Sequence, residues 1–178
     1  DTFKTITNTV QLSKYIACQG RHWPDADILT QAGLPVQLVS HFDAMFQMLV
    51  LKRCDYMPLS IFEGRGELAA VKDRFPMLMF NEKLIISYPI TMNFYVKKNN
   101  IRLANDLEEG LIKLIESGEF EQHMKSHSLT KNGFPLERLV DAIKIEINNN
   151  DISEETMNEL ANYGFQWPQQ EKLQGIIH

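Results

Sequence analysis

Short apolar runs alternating with helical stripes set the strongest limit on what the first half of this chain can become. Tyr15-Ile16-Ala17-Cys18 is an apolar run that ends at Gln19-Gly20. Pro24 then suits a first helical turn, Asp25 and Asp27 suit the positive end of a helix dipole, and Gly33 closes the segment. Val36-Gln37-Leu38-Val39 reads as a second strand, and Phe42, Met45, Phe46 and Leu49 follow at helical steps of three and four. Asp55-Tyr56-Met57-Pro58 reads as a third strand, with Pro58 confined to its end because proline cannot donate to a ladder. Residues 63–74 suit a helix whose first turn Gly64 and Gly66 weaken. This β-α-β-α-β order predicts an α/β fold with a parallel sheet and right-handed crossovers.

The second half carries a different pattern. Residues 83–86 and 92–96 are strand candidates on either side of Tyr88-Pro89, a crossing or turn. Leu103, Leu107, Leu111, Leu114 and Ile115 define a long amphipathic helix broken near Ser117-Gly118, and a shorter helix over 119–125 follows. Residues 142–147 are extended or helical, Asn148-Asn149-Asn150 is a turn, and Ser153 is the N-cap of a last helix.

Composition excludes several classes. The 178 residues are 44% hydrophobic and 23% charged, enough apolar material for a packed core of one domain or two small lobes. The net charge of -5 is spread along the chain without a basic stripe, so no nucleic-acid partner is expected. The longest apolar stretches are too short to span a bilayer, and the opening residues lack the apolar core of a signal peptide. Cys18 and Cys54 lack metal-ligand spacing. Placed late in one parallel strand and at the start of another, they are expected several residues apart along the sheet, as two buried free thiols rather than a disulfide.

Gly20-Arg21-His22-Trp23-Pro24-Asp25-Ala26-Asp27-Ile28-Leu29, then Gly33-Leu34-Pro35-Val36, resemble a little-characterised branch of the family 3 extracellular solute-binding proteins. Phe46-Gln47-Met48-Leu49 with Arg53-Cys54-Asp55-Tyr56-Met57-Pro58 adds to the likeness, as do Tyr95-Val96-Lys97-Lys98, Gly110-Leu111 and Ser117-Gly118-Glu119-Phe120. The stretches from Ile145 to Asn148 and Phe165 to Pro168 resemble that branch's ending. The resemblance implies a periplasmic-binding-protein type II-like fold: a three-layer α-β-α lobe with a parallel-rich sheet, plus part of a second lobe. Residues 5–88 are then the second lobe, and residues 89–178 the returning strand, long helix and extension that belong to the first. The earlier part of that first lobe is expected to be missing, leaving an apolar face or edge open, so that the chain dimerises, exchanges elements or pairs with other material.

In open parallel sheets ligands settle beyond the carboxyl ends of the strands, where the strand order reverses. With 15–19 central between 36–39 and 55–59, that rule selects Gln19, Gly20, Arg21, His22 and Trp23, joined by Ser40 and His41, and by Tyr56, Pro58 and Ser60. Amides at a helix start and the Arg21 guanidinium favour an anion such as a carboxylate, and Trp23 and Tyr56 offer flat apolar contact. Each has a plainer role beside this one: Arg21 as a solvated loop residue, Trp23 as a packed helix-start anchor, Asp25 and Asp27 as first-turn acids, and Asp55 as an acceptor of loop amides. In amino-acid-binding relatives an aspartate holds the ligand's ammonium group at the place where this chain has Ser60, which argues against a zwitterionic ligand.

The resulting expectation is a non-catalytic module without metal or cofactor. It captures a small polar, amino-acid-like or carboxylate-bearing solute outside the cytoplasm, in the periplasm. Its partners are an ABC-type transporter permease or a membrane receptor, with closure about a hinge near residues 87–91. The competing expectations are a sensory domain without transport, and a lyase or dehydratase on the same scaffold with Glu63 as its acid or base. His22 and His41 lack a third metal ligand, and His123 and His127, at i and i+4, lack the glutamate of a HExxH zinc site.

Overall fold

The computed structural model describes residues 2–164, so the resemblance over Phe165 to Pro168 lies outside the described residues. A short helix α1 (Thr9–Leu12) leads into β1 (Ala17–Gly20), α2 (Pro24–Gln31), β2 (Val36–Val39), α3 (Phe42–Val50) and α4 (Gly64–Val71). Then come β3 (Leu84–Ser87), α5 (Ile101–Glu116), α6 (Glu119–Ser126), β4 (Ile143–Glu146) and α7 (Glu154–Tyr163). The chain is mixed α/β with two small parallel sheets, β1–β2 and β3–β4.

β1 lies between β2 on one edge and the single Tyr56 bridge on the other. All four of its residues are buried, as expected for a strand covered on both faces. It pairs in parallel with β2, Ala17 opposite Val36 and Gly20 opposite Val39. Period-two alternation sends its side chains into two separate cores. Ala17 joins Leu12, Ile28, Leu29 and Leu34 on the α2 side, where Ile145 and Ile147 also pack and Leu84, Ile86 and Tyr88 lie against them. Cys18 joins Val39, Met45 and Cys54 on the α3 side, with Trp23, Phe42 and Leu49 around them.

Helix ends follow the local chemistry. At the end of α2 the Leu34 N–H donates to the Leu29 carbonyl and the Gly33 N–H to the Thr30 carbonyl, both at 3.0 Å. That is a Schellman closure, with Gly33 in the left-handed region it requires (φ 76°). α3 closes in the same way, Arg53 N–H to Met48 and Lys52 N–H to Leu49, although the left-handed residue is Lys52 (φ 54°). Ser153 caps α7 by accepting from the Thr156 N–H at 3.1 Å, as its sequence position predicts.

The strand expected over 55–59 is reduced to one parallel bridge, Ala17 to Tyr56. The Asp55 carboxylate accepts the Ile16 N–H at 2.8 Å, so a side chain takes over where a ladder would have continued, and the Pro58 nitrogen cannot donate. The strand expected over 92–96 does not form, because no other strand lies alongside it among the described residues. Residues 142–147, read as extended or helical, contain β4.

The cysteines are not free thiols. Cys18 and Cys54 form a disulfide with Cα atoms 5.6 Å apart. The distance argued from strand register fails because Cys54 precedes the Tyr56 bridge. It lies in the turn leaving α3, and it meets Cys18 over the α3-side face of the sheet rather than as a strand neighbour.

Glu82 ties α4 to the segment before β4. It accepts hydrogen bonds from Arg65 and from Arg138, the latter at 2.6 Å, while Arg138 also donates to the Gly133 and Pro135 carbonyls. The Arg65 hydrogen bond, reinforced by Arg138 and opposed by burial, holds the Glu82 carboxyl below the ordinary glutamate range.

Two predictions follow from these contacts. A 36-residue separation between bridged cysteines corresponds to about 4 kcal/mol of loop-closure entropy in the unfolded chain. Cys54→Ser is expected to lower unfolding free energy by roughly 3–4 kcal/mol in urea titrations, and the wild-type protein should show no alkylatable thiol until denatured and reduced. Since Glu82 is more acidic when folded, its contribution is complete above the unfolded glutamate pKa and is lost as pH falls through the lower folded value. Glu82→Gln should therefore cost about 1 kcal/mol at neutral pH, with the difference from wild type shrinking in acid-side denaturation curves.

Candidate functional site

At the C-terminal end of β1 the chain turns sharply: the Trp23 N–H donates to the Gly20 carbonyl at 3.0 Å, and the Arg21 N–H to the Val39 carbonyl at 3.0 Å. The turn and the end of β2 enclose a recess of about 90 Å³, lined by Gly20, Arg21, His22, Trp23, Val39, Ser40, Phe42 and Met45. Its floor is apolar. Trp23 and Phe42 lie with ring centroids 5.9 Å apart, and Phe42 meets Phe46 edge-on at 5.3 Å. Gly20 is required by close approach, because a Cβ there would stand 2.6 Å from the Trp23 indole. Arg21, His22 and Ser40 are exposed at the rim.

Two helices start at this recess, and neither is capped by a side chain. Trp23 and His41 occupy the N-cap positions of α2 and α3 without a side-chain hydrogen bond, whereas Asn8, Asn100 and Ser153 cap α1, α5 and α7. α4 and α6 also start without a capping side chain, but contribute no residue to the recess. First-turn amides left without a capping side chain carry the positive end of each helix dipole and are donors for an anionic group. Asp25, Asp27 and Asp43 in the same first turns draw on that field. Asp25 is partly diverted: it accepts a 2.5 Å hydrogen bond from the Tyr88 hydroxyl. Burial, then that bond, push the Tyr88 hydroxyl pKa well up.

Of the ten residues selected from the sequence, Gly20, Arg21, His22, Trp23 and Ser40 come together around one recess. Gln19 lies beneath the turn, 1% exposed; its Nε2 donates to the Pro58 carbonyl at 3.3 Å, while its Oε1 is buried without a protein partner. His41 starts α3 and is exposed. Ser60 accepts the Phe62 N–H at 3.2 Å and starts the turn before α4. Tyr56 packs against Phe3 at 5.7 Å on the other face of the sheet, and burial followed by the Asp55 charge push its hydroxyl pKa well up. Val39, Phe42 and Met45 were not among the ten. Phe42 and Met45 belong to the apolar stripe of α3, which serves core and recess alike.

Glu63 is exposed just ahead of α4 and lines no part of the recess. The His123 and His127 rings lie 5.1 Å apart, yet among the described residues no group of three or more metal-binding side chains gathers. A wider groove of about 360 Å³ runs between α6 and residues 134–137. Its Lys125 is already paired with Glu121 at 2.7 Å and lies over the Phe134 ring, so the groove's cation is spent within its own walls. No helix among the described residues is long and apolar enough to cross a membrane. No family model, curated protein or solved structure matches the chain.

The contact of Gly20 with Trp23 yields a test. Gly20→Ala is expected to displace the indole and cost about 1–3 kcal/mol through overpacking. In a Trp167→Phe background, the emission of Trp23 should shift to the red as the ring leaves Phe42. An unchanged spectrum and stability would refute the close approach.

Proposed function

We propose that this chain is a ligand-binding component of an extracytoplasmic solute-binding protein, one that takes a small carboxylate-bearing solute for ABC-type transport or for sensing. The observation that carries this reading is the convergence of two helix starts without capping side chains and the exposed Arg21 on one recess at the carboxyl end of the parallel strand β1. A space of about 90 Å³ holds roughly the volume of three waters, which suits a single carboxylate rather than a whole ligand. In this reading the carboxylate accepts the first-turn amides that remain, Asp25 in α2 and Phe42 and Asp43 in α3, since Pro24 has no N–H and the Ala26 and Ala44 amides donate to the Trp23 and His41 carbonyls. Arg21 is its counter-charge, while the rest of the solute lies outside and is enclosed by a second lobe. The disulfide supports an oxidising, periplasmic setting. The resemblance that residues 20–29, 33–36, 46–49 and 53–58 suggest to family 3 solute-binding proteins is consistent with this reading.

A thermal-shift screen over monocarboxylates, dicarboxylates, amino acids and inorganic phosphate tests the reading. A bound solute at a hundred times its Kd stabilises by about 2.7 kcal/mol, a rise in Tm of several degrees for a chain of this size. Arg21→Ala should remove that rise while leaving the ligand-free Tm within about a degree, since surface substitutions are nearly neutral. Absence of stabilisation by any of these compounds, or a rise indifferent to Arg21→Ala, would sink it.

A further inference from the structure

The segment that follows β3 is apolar and exposed and belongs to no helix or strand. Met92 is 95% exposed, Phe94 68% and Tyr95 91%, and Ile101 and Leu103 at the start of α5 are exposed too. No backbone N–H or carbonyl of residues 90–96 is hydrogen-bonded to another part of the described chain. α5 carries its apolar stripe of Leu103, Leu107, Leu111, Leu114 and Ile115, yet none of its sixteen residues is buried. A compact protein of 20.6 kDa exposes about 9,000 Å², whereas this chain exposes 12772 Å². Setting aside about 2,500 Å² for the residues outside those described leaves roughly 1,300 Å² of surplus. Stable protein interfaces bury about 1,200–2,000 Å² or more.

We infer that residues 92–96 form an intermolecular strand, pairing antiparallel with the same residues of a second copy about a twofold axis at Phe94. A twofold interface joins one patch to itself, so that patch must be self-complementary. With Phe94 opposite Phe94, Met92 faces Val96 and Asn93 faces Tyr95. Lys97 and Lys98 then fall opposite Thr91 and Ile90, so no lysine meets a lysine. Two ion pairs lie within α5, Arg102 near Asp106 at 3.8 Å and Lys113 near Glu109 at 3.5 Å, and Glu108 and Glu116 add negative charge beside them. The exposed apolar residues at 92, 94, 101 and 103 call for an apolar partner. Pairing satisfies the free backbone groups of the segment and covers aromatic side chains that solvent now holds. This assembly does not depend on the ligand reading, and its failure would leave the recess at Gly20 to Trp23 untouched.

The disulfide supplies a clean test, because it leaves no free thiol among the described residues. Residues directly opposite in an antiparallel pair have Cα atoms about 4.5–5.5 Å apart, within the range that a disulfide spans. Phe94→Cys should give a cross-linked dimer under mild oxidation. Met92→Cys should not, since its counterpart lies four residues along the strand, roughly 13 Å away. In sedimentation equilibrium at tens of micromolar the wild-type chain should sediment at twice 20.6 kDa. Phe94→Glu, with unchanged far-UV circular dichroism, should weaken association at least tenfold, more than 1.4 kcal/mol. A monomeric wild type, a dimer that Phe94→Glu leaves intact, or equal cross-linking at positions 92 and 94 would each overturn the inference.

Discussion

The architecture depends on a single four-residue strand whose two faces look into different cores. Ala17 points toward α2 and Cys18 toward α3, so one residue of register decides which helix covers which face. A slip by one position would bury Gln19 among the side chains of Val39 and Met45 and send the cysteine to the wrong core. The Cys18–Cys54 bond pins that register from the α3 side, and the Ile16 and Cys18 amides fix it from the edge through Asp55 and the Tyr56 carbonyl. Because both flanking helices begin just past the carboxyl ends of β1 and β2, their first turns arrive at the same place. The recess at Gly20 follows from that geometry.

Much of the backbone plan was legible where local chemistry decides it. Pro24 and Gly33 bracket α2, Ser153 starts α7, and the glycine at 118, in the left-handed region (φ 77°), separates α5 from α6. What escaped the sequence depends on distant partners. Residues 92–96 have the alternation of a strand, but alternation says nothing about whether a neighbouring strand is present. Ile143 and Ile145 alternate too, and these lie in β4 because Leu84 and Ile86 lie alongside. The cysteines were misjudged because Cys54 was placed in a strand, whereas the chain crosses above the sheet there, after Lys52 has turned it back.

The site was legible in its turn and illegible in its floor. Gly20 to Trp23 and Ser40 follow from topology alone, since strand ends and helix starts determine them. Val39, Phe42 and Met45 are ordinary core residues by type, and only the opening left beside Trp23 distinguishes them. A third strand ending at Pro58 would bring Ser60 to the strand ends and offer Tyr56 as flat apolar contact. With one bridge instead of a ladder, Tyr56 turns into the opposite core and Ser60 leaves the strand end altogether.

α2 is gripped at both ends by the second half of the chain. Near its start Asp25 receives the Tyr88 hydroxyl, and at its last residue Gln31 donates to Asp151 at 2.7 Å, while Asn149 holds the Pro89 carbonyl at 3.0 Å. A displacement of α2 along its axis would break one of these hydrogen bonds, and the start of the helix, next to the recess, is linked through Tyr88 to the point where the backbone leaves β3.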